Sequence, residues 1–186
     1  MAAASRITVK DLSKVAVFAA LIAVLGLPGA ISIGSGAPIT AQTLGVMLAG
    51  AVLGSWRGAA AVVLFEILVA FGFPLLSGAR GGLGVFASPS AGFLIGWIIG
   101  AFVIGLIAHK ANTKPNLVKV VVGLVLGGIG VVYALGIPAM AFALHLSLVA
   151  AATISVAYIP GDLIKIILAT VVVAGLWRAY PKAFSN

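Results

Sequence analysis

Toward the C-terminal end of the chain, Ile159-Pro-Gly-Asp-Leu-Ile-Lys165 sets a carboxylate and an ammonium three positions apart. On a helix, positions i and i+3 share a face, so Asp162 and Lys165 can act on one ligand. The acid accepts from N–H donors and the lysine donates to a carbonyl or carboxylate. The competing reading is local: Asp162 sits where a helix N-terminus favours an acid, and Lys165 pairs with it or reaches out to water. Lys165 is the harder of the two to explain away. A cation in the first turn opposes the helix dipole, and at the centre of a membrane helix it costs about 2.5–3.5 kcal/mol. Arg80, in Ser77-Gly-Ala-Arg-Gly-Gly82, is a second candidate. Glycines let a loop approach a ligand closely, and a guanidinium grips a carboxylate with two parallel bonds; the alternative is a solvated loop cation. Glu66 interrupts an apolar stretch and reads either as a neutral, hydrogen-bonded structural acid or as a proton-carrying group. His145, alone on an apolar helix, reads as a packing residue. Trp97 reads as packing or as a platform for a flat ligand.

Other chemistries find no residues. There is no cysteine, and the two histidines and three acids are far apart, so no metal cluster is expected. No G-x-x-x-x-G-K-[ST] loop is present, and no Ser–His set stands out. Enzyme chemistry has little support, and active transport would need energy from another chain. The cations are scattered singly without an aromatic platform, which argues against nucleic acid as a partner.

The elements that carry these residues follow from composition. Hydrophobic residues make up 63% of the 186 positions, against 11 basic and 3 acidic residues. Soluble domains average roughly 25% charged, and disorder requires low hydrophobicity with high charge; both are excluded. The expected fold is an all-α integral membrane protein, a single membrane domain over residues 1–186. At about 20 residues per crossing, six transmembrane helices take up roughly 120 residues and leave no room for a soluble domain. The stretches Val15–Trp56 and Val120–Gly161 lack Asp, Glu, Lys and Arg, and each has room for two helical pieces. Prolines and glycines divide the chain into helices over about 11–27, 40–53, 59–73, 91–108, 117–135 and 161–177. An extra piece over about 139–152 is split off by Pro138, and Gly54-Ser-Trp-Arg-Gly58 forms a polar turn. Residues 73–90, rich in Gly, Pro and Ser, form the longest irregular segment, the kind that is usually functional. The basic N-terminus before an apolar run resembles a signal peptide. Its apolar run continues past any small-residue site, so no cleavage is expected.

With both termini in the cytoplasm, six spans leave Arg6, Lys10, Lys14, Arg57, Lys110, Lys114, Lys119, Arg178 and Lys182 inside, and only Arg80 and Lys165 outside. That is a positive-inside distribution. Trp56, Trp177 and Tyr180 fall at the inner interface, and Arg80, Asp162 and Lys165 collect outside, which points to a site open to the exterior. Small residues four apart let helices pack closely. They recur at Gly50/Gly54, Gly96/Gly100 and Gly123/Gly127, expected to pack the bundle internally, and as a stripe at Ala16, Ala20 and Ala23.

Taken together, Ala37-Pro-Ile-Thr-Ala-Gln-Thr-Leu-Gly-Val-Met-Leu-Ala-Gly50, Gly72-Phe-Pro-Leu-Leu-Ser-Gly78 with Gly81-Gly82, Ser88-Pro-Ser-Ala-Gly92 and Pro160-Gly-Asp-Leu-Ile-Lys165 resemble the BioY family. Its members are biotin-binding S components of energy-coupling factor (ECF) transporters, and the resemblance covers nearly the whole chain. It implies six membrane helices in the bacterial cytoplasmic membrane and a biotin site near the outer face. It makes Asp162 and Lys165 ligand contacts through the family's D-x-x-K, and Ala16, Ala20 and Ala23 a docking stripe for the transmembrane T component. ATP would be hydrolysed by separate ATPase subunits, with no cofactor on this chain. Some members carry an Asn in the Gly-rich loop, where this chain has Ala79 or Arg80, and an Arg after the Ser88–Gly92 motif, where this chain has Leu94. The expected substrate-binding set is Asp162, Lys165, Arg80, Gly81, Gly82, Gln42, Ser77 and Phe86. In this set Asp162 takes the ureido N–H groups, Lys165 and Arg80 share the ureido oxygen and the carboxylate, and Leu76 and Phe86 cover the thiophane ring. The alternatives are an S component for another small vitamin and a channel or proton-coupled carrier using Glu66.

Overall fold

Residues 8–31 and 39–185 are described by the computed structural model. Arg6, Ala37 and Pro38, all used in the sequence reading, lie outside the described residues. Helices dominate: α1 (Val9–Val24), α2 (Gln42–Leu53), α3 (Ser55–Ala70), α4 (Ala91–Ala108), α5 (Leu117–Ala143), α6 (Leu148–Val156) and α7 (Ile159–Ala179). A short antiparallel ribbon pairs β1 (Ala30–Ile31) with β2 (Ile39–Thr40). By length and composition α4, α5 and α7 can each cross a membrane, and α2 is a shorter apolar helix.

Local chemistry sets the helix ends. α1 begins with a capping box: Thr8 Oγ1 accepts from the Asp11 N–H at 3.2 Å, and Asp11 Oδ2 accepts from the Thr8 N–H at 3.0 Å. α3 starts earlier than the expected residue 59, because the polar stretch after Gly54 is already helical. Gly54, at φ +88°, makes the reversal alone. In the helical turn that follows, the neighbours leave room only for glycine: a Cβ on Gly58 would lie 2.8 Å from Gly50 Cα. α7 takes Pro160 into its first turn, where the missing N–H costs nothing.

The break expected at Pro138 does not occur. α5 continues through Pro138 to Ala143, after widened π-type turns over Leu124–Val131. A proline loses one N–H bond and crowds the carbonyl four residues back, but membrane helices tolerate this where neighbours and local adjustments compensate. Here α4 clamps the backbone on both sides of the proline. A Cβ on Gly92 would sit 2.5 Å from Leu135 O and 2.4 Å from Ala139 Cβ, and one on Gly136 would sit 2.4 Å from the Phe93 ring. The chain breaks instead at His145, which adopts φ +53°, so the extra piece is Leu148–Val156 and not 139–152. His145 is therefore an exposed turn residue, not the packing residue of an apolar helix. Further along α4 and α5 the glycine pattern does pack internally, with a Cβ on Gly100 only 2.7 Å from Gly127 O.

Side-chain bonds identify the two ends of the bundle. Arg57 in the first turn of α3 pairs with Asp11 in the first turn of α1 at 2.8 Å. Lys14 donates to Ala183 O at 3.1 Å and to Ser185 O at 2.7 Å, and the Asn112 N–H donates to Phe184 O at 3.2 Å. One end thus gathers the starts of α1, α3 and α5 with the ends of α2, α4 and α7, and it carries most of the basic residues. The opposite end holds the ribbon, the 71–90 loop, α6 and the start of α7. On α7, Asp162, Ile166, Ala169 and Val173 form the buried stripe, while Leu163, Ile164, Ile167 and Val171 face outward. Such an outward apolar face is what lipid, not water, accommodates.

Candidate functional site

At the end away from the basic cluster, α2, α4, α5 and α7 surround a pocket holding about 620 Å³ of empty space out to its open mouth. Its polar wall is a chain of bonds across three helices. Lys165 Nζ on α7 donates to Asp162 Oδ1 at 2.9 Å and to Thr43 Oγ1 on α2 at 2.7 Å. The Tyr133 hydroxyl on α5 donates to Asp162 Oδ2 at 2.5 Å. The side chains of Asp162 and Lys165 are only 8% and 12% exposed. The pair is neutral as a unit, yet each carboxylate oxygen keeps a lone pair and the ammonium keeps an N–H. A ligand can use all three.

The remaining walls are apolar and aromatic. Phe93, Tyr133 and Tyr158 stand edge-to-face around one side, with ring centroids 6.1–6.4 Å apart. Trp97 lines the pocket beside Leu94, and its ring lies 6.4 Å from Phe65 in the core behind. Ile39 and Thr40 of β2, with Leu76 and Arg80 of the 71–90 loop, complete the lining. The loop is shaped by a backbone bridge between Leu76 and Arg80. Arg80 Nε donates to Ser77 O at 3.2 Å, which leaves the other guanidinium nitrogens without an acceptor among the described residues.

The structure separates the expected set into two groups. Asp162, Lys165, Arg80 and Gln42 line the pocket, as does Leu76. Ser77, Gly81, Gly82 and Phe86 do not line it and instead support the loop. Gln42 is fully buried: its Nε2 donates to Ile22 O at 3.2 Å and Leu75 O at 3.0 Å, and its Oε1 accepts from the Ser77 N–H at 3.1 Å. It pins the loop to α1 and α2. Gly81 passes so close to Phe73 that a Cβ would lie 2.3 Å from Phe73 O, and the Gly82 N–H donates to Val69 O at 2.7 Å. Phe86 packs on the adjoining core. Glu66 is buried on α3, its Oε1 without a hydrogen-bond partner among the described residues, and it does not line the pocket. Ala16 and Ala20 are exposed on α1, whereas Ala23 is half-buried.

Thr43, Tyr133, Tyr158 and Phe93 were not singled out from the sequence. Thr43 stands beside Gln42 inside a recognisable motif. Two of the three tyrosines in the chain line the pocket. A phenol on an apolar helix needs a polar partner, and that was the available signal.

Apolar helices with outward-facing hydrophobic side chains, enclosing a desolvated acid–base pair under a loop, define a multi-pass membrane protein with a small-molecule pocket. Comparison narrows the class. Residues 1–182 match the family model described as the BioY family. The chain is 47% identical over 183 residues to the Biotin transporter BioY of Rhodobacter capsulatus, covering 94% of this chain and 96% of that one. It is 48% identical over 178 residues to the Biotin transporter BioY of Rhizobium etli, covering 92% and 95%. A solved structure, the S-component for biotin from an ECF-type ABC transporter, superposes with a TM-score of 0.84 at 33% identity, covering 91% of this chain and 92% of that one. The chain belongs to the BioY family, a family of transporter components and not of enzymes.

Proposed function

We propose that this chain is the substrate-capturing membrane subunit of a biotin uptake system. The observation that carries this reading is the Asp162–Lys165 pair, braced by Thr43 and Tyr133 at the base of an aromatic pocket in a BioY-family chain. Biotin presents two ureido N–H donors and a carbonyl at one end, an apolar thiophane, and a carboxylate at the other end. Asp162 accepts from the ureido nitrogens, Lys165 meets the ureido oxygen, the aromatic wall covers the bicyclic ring, and Arg80 at the loop takes the carboxylate. Burial strengthens each polar contact by lowering the local dielectric.

In this reading the chain crosses the bacterial cytoplasmic membrane six times with both termini in the cytoplasm. The gathering of Lys10, Lys14, Arg57, Lys110 and Lys182 near one end supports that orientation, and it opens the pocket to the exterior. The exposed face of α1 at Ala16 and Ala20 docks on an ECF T component, and separate ATPase subunits supply the energy. The test is calorimetry of the purified, ligand-stripped protein against biotin and a panel of other vitamins. A one-to-one isotherm with biotin alone is expected. Tight binding of a different vitamin, with no heat from biotin, would overturn the assignment.

A further inference from the structure

We propose that the hollow between the first turn of α5 and the last turns of α7 binds the phosphate headgroup of an anionic phospholipid. Lys114 and Arg178 both line it, above apolar walls from Leu117, Ala174, Trp177 and Pro181. Three observations converge on this occupant. The first is charge. The chain has three acids: Asp11 is paired with Arg57, Asp162 is paired with Lys165, and Glu66 is buried on α3. Among the described residues, none of them forms an ion pair with Lys114 or Arg178. Two cations sharing one hollow repel each other, and an anion between them relieves the repulsion.

The second is depth. The hollow lies where two helices of mean hydropathy 2.5 and 2.0 end, which is the level of the headgroups. Trp177, half-buried at its edge, is the residue type enriched at that level. The third is continuity with an apolar surface. One turn further into the bundle, Val121 on α5 and Val171 on α7 are exposed, so an acyl chain attached to the phosphate has a track to follow. A free anion would leave that track empty.

The test uses the full chain in mild detergent with defined lipid added. Dioleoyl phosphatidylglycerol is compared with dioleoyl phosphatidylcholine and with inorganic phosphate, by native mass spectrometry and thermal midpoint. The phosphatidylglycerol is expected to be retained and stabilising while the other two are not. Each cation near a membrane surface contributes about fivefold in affinity. Lys114→Gln with Arg178→Gln should therefore weaken phosphatidylglycerol binding by roughly thirtyfold. A control pair, Lys110→Gln with Lys119→Gln, removes the same charge from residues that do not line the hollow and should weaken binding less than the Lys114 and Arg178 pair does. Bromine-labelled phosphatidylglycerol should quench the parent protein more than Trp177→Phe, a readout that needs no charge variant to fold. Three results overturn the proposal: equal retention of both lipids, equal loss in the control pair, or stabilisation by phosphate alone.

Discussion

Asp162→Asn probes the centre of the site, and the surrounding geometry sets the size of its effect. The native carboxylate accepts from Lys165 at 2.9 Å and from Tyr133 at 2.5 Å, with a side chain only 8% exposed. An amide of the same shape has one oxygen. It can keep the bond from Lys165 only by turning its NH2 toward Tyr133, whose hydroxyl then has to accept. A ligand N–H arriving at that NH2 meets a donor, not an acceptor. Losing one partner of a buried charged contact costs about 2–5 kcal/mol, so biotin affinity should fall roughly 30-fold to several-thousand-fold. The fold should suffer less than with Asp162→Ala, which strands a buried ammonium at about 3–5 kcal/mol.

The assay is calorimetry paired with a thermal midpoint for four proteins: the parent, Asp162→Asn, Lys165→Met and the double variant. The two residues touch, so their effects on stability should be non-additive by more than about 0.5 kcal/mol. The double variant should be more stable than the sum of the single losses, because neither charge is left alone. Binding should be weakened in all three variants. Asp162→Asn that stays folded and binds biotin within threefold of the parent would falsify the role given to this carboxylate.

Four further outcomes follow from the same contacts. Tyr133→Phe removes a charge-assisted bond worth about 1.5–3 kcal/mol to the fold; the thermal midpoint should fall, and calorimetry should show weaker biotin binding because Asp162 is no longer held in place, whereas unchanged affinity would make Tyr133 a packing residue only. Gln42→Leu leaves the Ser77 N–H and the Ile22 and Leu75 carbonyls unpaired, at about 1–3 kcal/mol for each buried group; the thermal midpoint should drop sharply, whereas a protein that loses affinity at full stability would show Gln42 to be a direct contact. Ala20→Leu, on the exposed face of α1, should leave binding untouched and abolish ATP-driven uptake by cells expressing the partner subunits; normal uptake would move the docking face elsewhere. His109, just past α4, stacks on Phe184 with centroids 6.4 Å apart, and burial pushes its pKa below the usual value. The unfolded chain therefore takes up the proton first as pH falls through about 6.5. Stability should decline from pH 7 to 5, and His109→Leu should remove that part of the decline.

The helices were legible because lipid imposes a simple rule: long runs without charge, interrupted by Pro and Gly, are spans and their breaks. The rule failed at Pro138, where the deciding influence was the glycine-lined surface of α4, a tertiary contact that no local signal encodes. It also failed at Gly54, where one residue makes a turn for which five were allotted. In the site, Asp162 and Lys165 were legible because charge is rare and expensive here, so each instance demands a reason. Tyr133 and Thr43 were not, because a hydroxyl on an apolar helix carries little cost until it is known what it faces. Gly81 and Ser77 were placed in the binding set by their motif, yet they serve the loop that carries Arg80. Proximity in sequence to a functional cation does not separate a contact from its support.

The two acid–base pairs among the described residues show why only one of them makes a pocket. Asp11 and Arg57 are joined at 2.8 Å, and Asp162 and Lys165 at 2.9 Å. Asp11 Oδ2 is already taken by both the N–H and the hydroxyl of Thr8, and Oδ1 by Arg57, in a pair that fastens two helix starts. Asp162 receives one donor on each oxygen and opens toward an aromatic cavity instead of toward another helix end. Tyr133, Lys165 and Thr43 hold it in place while leaving its remaining acceptor capacity uncommitted. A carboxylate that is oriented, desolvated and still short of donors is poised for a ligand that brings two N–H groups. Its cation neighbour orients it without filling it. That combination, and not the mere presence of a charge pair, separates the pocket end of the bundle from the opposite end, where Asp11 and Arg57 tie two helix starts together.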